Sequence, residues 1–229
     1  MRLRPLRHED RVAAWQICSA LLRYPTEAEQ SALPAIAGAA RELRIAQGPE
    51  IAALCEGRQN VPLADLQSRY VESFDLGRSR SLYLSWHQYG DRRQRGMVLL
   101  KLKRRMAEHG FEPVTEELPD WLPLVLEFAS RAPDPAGREL LEDWRAPLEL
   151  IRRNLRERGD EEAVLFDAIS ATLSRVGTDT EALVARLMHD GPPDEEVGLS
   201  PFGPDSEAWD QIPPSGYDRL PDPVGGPLS

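Results

Sequence analysis

Two runs of apolar residues restrict the fold before any other feature is considered. Leu63, Leu66, Tyr70 and Phe74 recur at spacings of three and four, and Leu141, Trp144, Leu148, Ile151 and Leu155 repeat that rhythm. Such spacing stacks side chains along one face of a helix and would scatter them over both faces of a strand. Composition agrees: leucine occurs 31 times, against 23 for Val, Ile and Thr together, and the β-branched residues are the ones that favour strand. The remaining helices follow from the same periodicity. Val12, Trp15, Cys18 and Leu22 share a face that ends at Tyr24-Pro25. Thr26 and Glu29 have capping-box spacing, and Pro34 restarts that helix with Ile36, Ala37, Ala40 and Leu43 inward. A short helix covers 49–57, and Pro62 opens the one over 63–75. Residues 91–109 form a basic helix with Val98, Leu99, Leu102 and Met106 as its apolar stripe. Residues 121–129 are apolar nearly all round, which marks a helix covered on several sides, with Pro119 and Pro123 before and within its first turn. The 141–155 run reads as one helix kinked at Pro147. Another carries Leu165, Ala168, Leu173 and Val176, and Thr178 with Glu181 caps the last. The expectation is a compact all-α bundle of about nine helices, with no internal repeat. Ser81–Tyr89 alternates like a strand but lacks a second strand, so a loop or an irregular helix start is expected there.

The chain's 229 residues suffice to bury a sizeable core. No segment reaches the roughly 18–20 apolar residues of a membrane helix. The basic start Met1-Arg-Leu-Arg-Pro-Leu-Arg7 runs into His8-Glu-Asp-Arg11, where a signal peptide would be apolar. Cys18 and Cys55 are far apart, in no metal or redox spacing, and each lies in an apolar stretch. Two buried free thiols in the reducing cytoplasm are expected. Charge divides the chain. Residues 190–229 hold nine acids and one base, with nine prolines and six glycines. That composition buries too little apolar surface to offset the entropy of ordering it. The reading is a helical domain over 1–189 and a disordered acidic tail over 190–229.

No catalytic signature appears: no phosphate-cradling Gly-rich loop, no Gly-x-Ser-x-Gly, no His-Glu-x-x-His. The four histidines are scattered without ligand spacing. His87 and Asp91 could meet one helical turn apart as a base and its orienter, but a structural hydrogen bond at a helix start, with Asp91 as cap, is the commoner outcome. The stronger anomaly is charge. Between Arg78 and Arg105 stand nine bases and one acid. Arg92, Arg93 and Arg95 cluster at a helix N-terminus, where the macrodipole disfavours cations. They call for carboxylates, whether from the chain's own tail, an acidic peptide or an anionic, nucleotide-like ligand. A pI near 5.0 and the absence of interleaved stacking aromatics argue against nucleic acid.

Several segments, taken together, resemble a known family. Tyr70-Val-Glu-Ser-Phe-Asp75, Leu82-Tyr-Leu-Ser-Trp-His87, Gly90-Asp91, Arg93-Gln-Arg-Gly96 and Leu118-Pro-Asp-Trp-Leu-Pro-Leu-Val-Leu-Glu-Phe128 are similar to the nitrate reductase molybdenum cofactor assembly chaperones. This is the NarJ type, or delta subunit, within the redox-enzyme maturation chaperones. Arg92 departs from the pattern, standing where a small polar residue is expected. The resemblance implies a non-enzymatic cytoplasmic chaperone, monomeric or weakly dimeric, that neither binds nucleic acid nor inserts into membrane. Its partner would be the apo alpha subunit of respiratory nitrate reductase, held by its N-terminal segment, with cofactor-insertion proteins as further partners. No cofactor would be bound permanently; the client receives bis-molybdopterin guanine dinucleotide. An amphipathic client helix could lie in an apolar groove. Tyr70, Phe74, Leu82, Tyr83, Trp86 and His87 would contact it, and Asp75, Asp91, Arg93 and Arg95 would orient it, with Leu82–Gly96 as the principal contact stretch. Gly90, Gly96, Pro119, Asp120 and Pro123 would serve the motif structurally, through turns, close packing and caps. Two alternatives stay open: a chaperone of the same fold for another molybdoenzyme with a twin-arginine signal, and a small helical enzyme or nucleotide-binding protein using His87, Asp91 and the arginines.

The tail generates a test. Deleting residues 190–229 is expected to leave far-ultraviolet circular dichroism and the melting temperature almost unchanged; a fall in Tm beyond about 4 °C, worth roughly 1–2 kcal/mol in a domain this size, would show that the acidic segment contributes to folding stability.

Overall fold

The computed structural model describes residues 6–90, 92–113 and 116–191. The expected acidic tail and Asp91 therefore lie outside the described residues, apart from Asp190 and Gly191. The described chain is all-α. Its helices are α1 (His8–Leu21), α2 (Glu27–Glu42), α3 (Gly48–Arg58), α4 (Leu63–Tyr70), α5 (Leu84–Tyr89), α6 (Arg93–Glu108), α7 (Leu122–Arg131), α8 (Ala136–Asp143), α9 (Arg145–Arg158), α10 (Ala163–Thr172) and α11 (Thr178–Asp190). A π-turn over Val71–Asp75 continues α4, and a 3-10 turn over Arg78–Arg80 precedes α5. None of the described helices is long and apolar enough to cross a membrane.

Eleven α-helices replace the expected nine, for two local reasons. The 141–155 run is two helices that break at Trp144, so Pro147 is no kink. It occupies the first turn of α9, where its missing N–H would have had no intrahelical partner. The second addition is α5, inside the stretch that alternates like a strand. Other boundaries shift as well. Pro34 lies inside a continuous α2 instead of restarting it, and α10 ends at Thr172, short of Leu173 and Val176. Gly177, not Thr178, is the N-cap of α11. The Thr26 cap forms as spaced: its hydroxyl accepts from the Ala28 and Glu29 amides at 3.2 and 3.5 Å.

The core is centred on α7, whose Leu122, Pro123, Leu124, Val125, Leu126, Phe128 and Ala129 are all buried. One side packs on α1, another on α8. The α8 approach is so close that a Cβ on Gly137 would stand 2.2 Å from the Ala129 carbonyl oxygen. Trp15 of α1 reaches α10, where its indole N–H donates to Thr172 Oγ1 at 2.8 Å. Each fully buried leucine or phenylalanine contributes about 1.5–3 kcal/mol. Cys18 and Cys55 are buried free thiols, and burial pushes them up to about 12 and about 11. Charge ties the last three helices together. Arg152 and Arg153 of α9 both bond Glu149, Arg152 and Arg156 bond Asp167 of α10, and Arg153 bonds Glu181 of α11. Burial alone would raise the Glu149 carboxyl, but the two guanidinium groups outweigh it and hold it below its ordinary range.

The segment before α5 is clasped to the one before α7. Tyr83 and Trp121 form an isolated antiparallel bridge, with Leu84 N–H donating to Asp120 O at 3.1 Å and Leu122 N–H to Leu82 O at 2.8 Å. The alternation of residues 81–84 thus has a partner, one residue long. Asp120 completes the clasp. Its fully buried carboxylate accepts from Ser85 N–H at 3.0 Å and Ser85 Oγ–H at 2.5 Å. Ser85 is the second residue of α5, so Asp120 caps a helix 35 positions upstream and not the one that follows it. Arg95 of α6 joins, donating to Ser85 Oγ at 3.0 Å with its Nη2 3.7 Å from Asp120 Oδ2. His87 is fully buried. Its Nε2–H donates to Ser81 O at 2.8 Å, and burial drives the imidazole down to about 4. Gly90 then ends α5 at φ 53°, a conformation open to glycine.

Two outcomes are expected. Asp120→Ala should lower stability by about 3 kcal/mol, because it leaves the α5 amide and Arg95 unpaired in the interior, whereas Asp120→Asn should restore part of the loss by keeping one acceptor; thermal melts compare them. His87 makes stability pH-dependent. The unfolded imidazole gains a proton below about pH 6.5 and the folded one only near 4. Its contribution is therefore complete above pH 6.5 and is lost as pH falls towards 4. Urea midpoints of His87→Gln should fall less steeply across that window than those of the wild type.

Candidate functional site

Between α1, α2, α4 and α7 lies a groove of about 430 Å³, within the size range of sites that enclose a small ligand or a few side chains. Leu21, Leu33, Leu66, Tyr70 and Phe74 form its floor, and α2 supplies Ala28, Ala32 and Ile36 as one wall at steps of four. Those two alanines are exposed, so the wall leaves space that larger side chains would fill. The floor is rigid. Tyr70 packs edge-on against Tyr24 and Phe74 at centroid distances of 5.3 and 5.1 Å, and its hydroxyl donates to Leu22 O at 3.3 Å. Burial raises the Tyr70 phenol, which stays neutral.

The rim carries both signs of charge. Arg23 meets Glu127 at 2.8 Å and Arg131 meets the same carboxylate at 2.9 Å. Across the opening Arg58 holds Glu161 at 2.7 Å and also Glu162, while Arg69 stands 3.9 Å from Glu161. Each rim charge named here is compensated inside the chain. The arrangement suits an amphipathic segment whose apolar side chains enter and whose polar groups exchange with the rim pairs. It offers no nucleophile beside a base, and among the described residues no cluster of three or more His, Cys, Asp or Glu could hold a metal ion.

The residues singled out in the sequence fall in three places. Tyr70 and Phe74 line the groove while belonging to the core, being 8% and 3% exposed. Leu82, Tyr83, Trp86, His87 and Arg95 gather instead around the clasp, off the groove lining. Leu82 and His87 are buried. Tyr83 Oη–H is engaged by Glu117 at 2.6 Å. Trp86 lies between the Arg78 and Arg95 guanidiniums, each 5.8 Å from its ring, and donates to Arg78 O. Asp75 is exposed, with a carboxyl raised by partial burial and by Glu117. Arg93 stands on the outer side of α6 and Asp91 lies outside the described residues. Of the motif residues, Asp120 is the remote cap, Pro119 is half-buried, and Pro123 sits in the first turn of α7. At Gly96 no atom of the described residues lies within 4 Å of a Cβ placed there.

Most of the groove was not singled out. Ala28, Ala32, Leu33, Ile36 and Leu66 look in sequence like ordinary helix positions, and only assembly of four helices aligns them. The one signal was Tyr24-Pro25, which breaks α1 from α2 and so opens the angle between them. Trp121 links groove and clasp, bridging to Tyr83 while its ring lies 6.0 Å from the Arg23 guanidinium.

Comparison with known proteins agrees with this architecture. The family described as nitrate reductase delta subunit matches residues 33–162, from within α2 to the start of α10. The chain is 31% identical over 169 residues to the probable nitrate reductase molybdenum cofactor assembly chaperone NarJ of Bacillus subtilis, covering 73% of this chain and 92% of that one. It is 31% identical over 187 residues to the nitrate reductase molybdenum cofactor assembly chaperone NarJ of Escherichia coli K12, covering 80% and 78%. Over 110 residues it is 37% identical to the probable assembly chaperone NarW of the same organism, about half of each chain. With more than half of its length matched by the family and relatives above 30% identity covered over most of theirs, the chain belongs to the nitrate reductase delta subunit family.

Proposed function

We propose that the protein is an assembly chaperone that binds the apo catalytic (alpha) subunit of a respiratory nitrate reductase by its N-terminal segment. It acts in the cytoplasm and holds that subunit while bis-molybdopterin guanine dinucleotide is inserted, before the enzyme attaches to the membrane. The cofactor is the client's cargo and not a resident of this chain. The observation that carries the reading is the groove between α1, α2, α4 and α7, with its apolar floor and its paired rim, in a chain whose relatives are named as chaperones of this kind.

An amphipathic helix presents apolar side chains at i, i+3, i+4 and i+7, the pattern that a groove walled at steps of four can receive. Affinity comes from burying those side chains over Tyr70 and Phe74, which are already ordered by the core and lose little entropy on binding. The rim pairs select orientation, because a client acid or base must replace a partner that is already present. Release then needs no covalent step: once the client folds around its cofactor, its own core competes for the same apolar side chains. Leu82, His87 and Asp120 act in this scheme by holding the α5–α7 clasp, and not by touching the client.

The test is titration of the full chain with a labelled peptide from the N-terminus of the nitrate reductase alpha subunit of the same organism, read by fluorescence anisotropy. Ala32→Trp, which fills the groove from an exposed position, is expected to weaken binding about tenfold or more, and Ile36→Asp comparably. Tighter binding of an N-terminal peptide from another molybdoenzyme with a twin-arginine signal would reassign the client, and unchanged affinity in both variants would remove the groove from the mechanism.

A further inference from the structure

We propose that the outward face of α6 is a second docking strip, separate from the groove, for an amphipathic helix of a protein partner that has aliphatic residues along its seam and Asp or Glu on both flanks. The strip is built by helical spacing. Leu102 and Met106, the two buried residues of α6, point inward. On the opposite side Arg93, Met97, Leu100 and Arg104 follow one another at steps of four, three and four, which places them in a single row. Met97 and Leu100 are 51% and 57% exposed, two adjacent large apolar side chains that the fold leaves in solvent. A row at this spacing is the a/d seam of a helix pair, and Lys101 and Lys103 then stand at the flanking positions that set the charge of a partner.

Two further observations show that this face has no packing or ion-pair partner among the described residues. Gly96 lies beside the row, within the helix, with nothing inside 4 Å of a Cβ placed there. Glycine in a helix interior costs about 1 kcal/mol relative to alanine, and no close packing among the described residues recovers it. A second helix approaching the seam would recover it by coming nearer the backbone. The charges are equally unaccounted for. Exposed Arg92, Arg93, Lys101, Lys103 and Arg104 make no ion pair with any described residue, whereas Arg95, on the inner side, is held by Ser85 and Asp120. Arg92 and Arg93 also oppose the helix macrodipole, with no acid in the first turn among the described residues. Carboxylates on a partner would neutralise both the dipole conflict and the flanking lysines.

The same features choose among occupants. A second copy of the chain laid along this face would set cation against cation in either direction, since the row ends in Arg93 and Arg104. An anionic bilayer would suit the cations, but a helix that lies in a membrane interface buries a broad apolar face, and here the apolar part is two side chains wide. An acidic helix fits both the narrow seam and the flanks.

The experiment uses the full chain and a synthetic three-heptad peptide with Leu at a and d and Glu at e and g, read by fluorescence anisotropy. Binding is expected in the micromolar range at about 50 mM salt, weakened about tenfold at higher salt and about tenfold by Met97→Asp or Leu100→Asp. A peptide with Lys at e and g should bind only Lys101→Glu/Lys103→Glu, reversing the preference. All four positions are exposed, so circular dichroism should be unchanged and titration with the nitrate reductase peptide should retain wild-type affinity, which separates this proposal from the groove. Equal binding of a scrambled peptide of the same composition would overturn it. So would no binding, recruitment to phosphatidylglycerol vesicles through Met97 and Leu100 in place of the peptide, or self-association in sedimentation that those two variants abolish.

Discussion

A carboxylate withdrawn fully from solvent is costly unless its hydrogen bonds and counter-charge go with it, and Asp120 brings three elements together to offset that cost through Oδ2, while its Oδ1 is buried without a partner among the described residues. Asp120 accepts two hydrogen bonds from Ser85 at the start of α5 and stands against Arg95 of α6, while its own backbone carbonyl accepts from Leu84. The following residue begins the approach to α7, the helix on which the core is centred. One side chain therefore fixes where α5 and α6 lie relative to α7. A short helix such as α5, six residues long, is too brief to persist by itself. Its position depends on the cap, on the Tyr83–Trp121 bridge and on the His87 bond to Ser81. Remove the clasp, and α6 loses the neighbour that holds its N-terminal half.

The clasp also gives the conspicuous residues of the sequence partners inside the chain. Tyr83, Trp86, His87 and Arg95 are chemically conspicuous, and conspicuous residues in an irregular segment invite a binding role. Here their polar ends meet Glu117, Arg78, Ser81 and Ser85. Periodicity, by contrast, reports burial well: the rhythms through Leu66, Tyr70 and Phe74 and through Leu148, Ile151 and Leu155 all end in the core. The break at Trp144 was not legible, because two helices meeting at an angle can keep one apolar face in register. Nor was the Asp120 cap, since capping rules are local in sequence and this cap acts across 35 residues. The groove was half legible. Tyr70 and Phe74 belong to a motif, but Ala28, Ala32 and Ile36 become a wall only when α1 and α2 separate after Tyr24-Pro25.

The groove and the outer face of α6 differ in how their charges are treated, and that difference bears on what each can do. At the groove, arginines and carboxylates are already paired, so a segment entering as proposed would exchange one ion pair for another. Exchanges of this kind change free energy little, since exposed pairs are each worth about 0–1 kcal/mol. On that proposal affinity would come from the apolar floor, and the charges would act by rejecting segments that cannot match them. On the outer face of α6, Arg93, Lys101, Lys103 and Arg104 make no ion pair with any described residue, so a complementary surface would gain attraction there without first breaking an ion pair, and long-range steering would speed encounter.

A chaperone for a large client benefits from both kinds of surface. Capture by charge is fast and salt-sensitive but selects poorly; insertion of apolar side chains into a preformed groove is slower and selective. If both engage one client, the second contact becomes intramolecular, and modest affinities combine into tight retention without either site binding irreversibly. Release then follows from loss of either contact. That logic requires the two surfaces to be held at a fixed separation, and α7 supplies it, since it lines the groove through Glu127 and Ser130 and anchors α5 and α6 through the residue that precedes its N-cap.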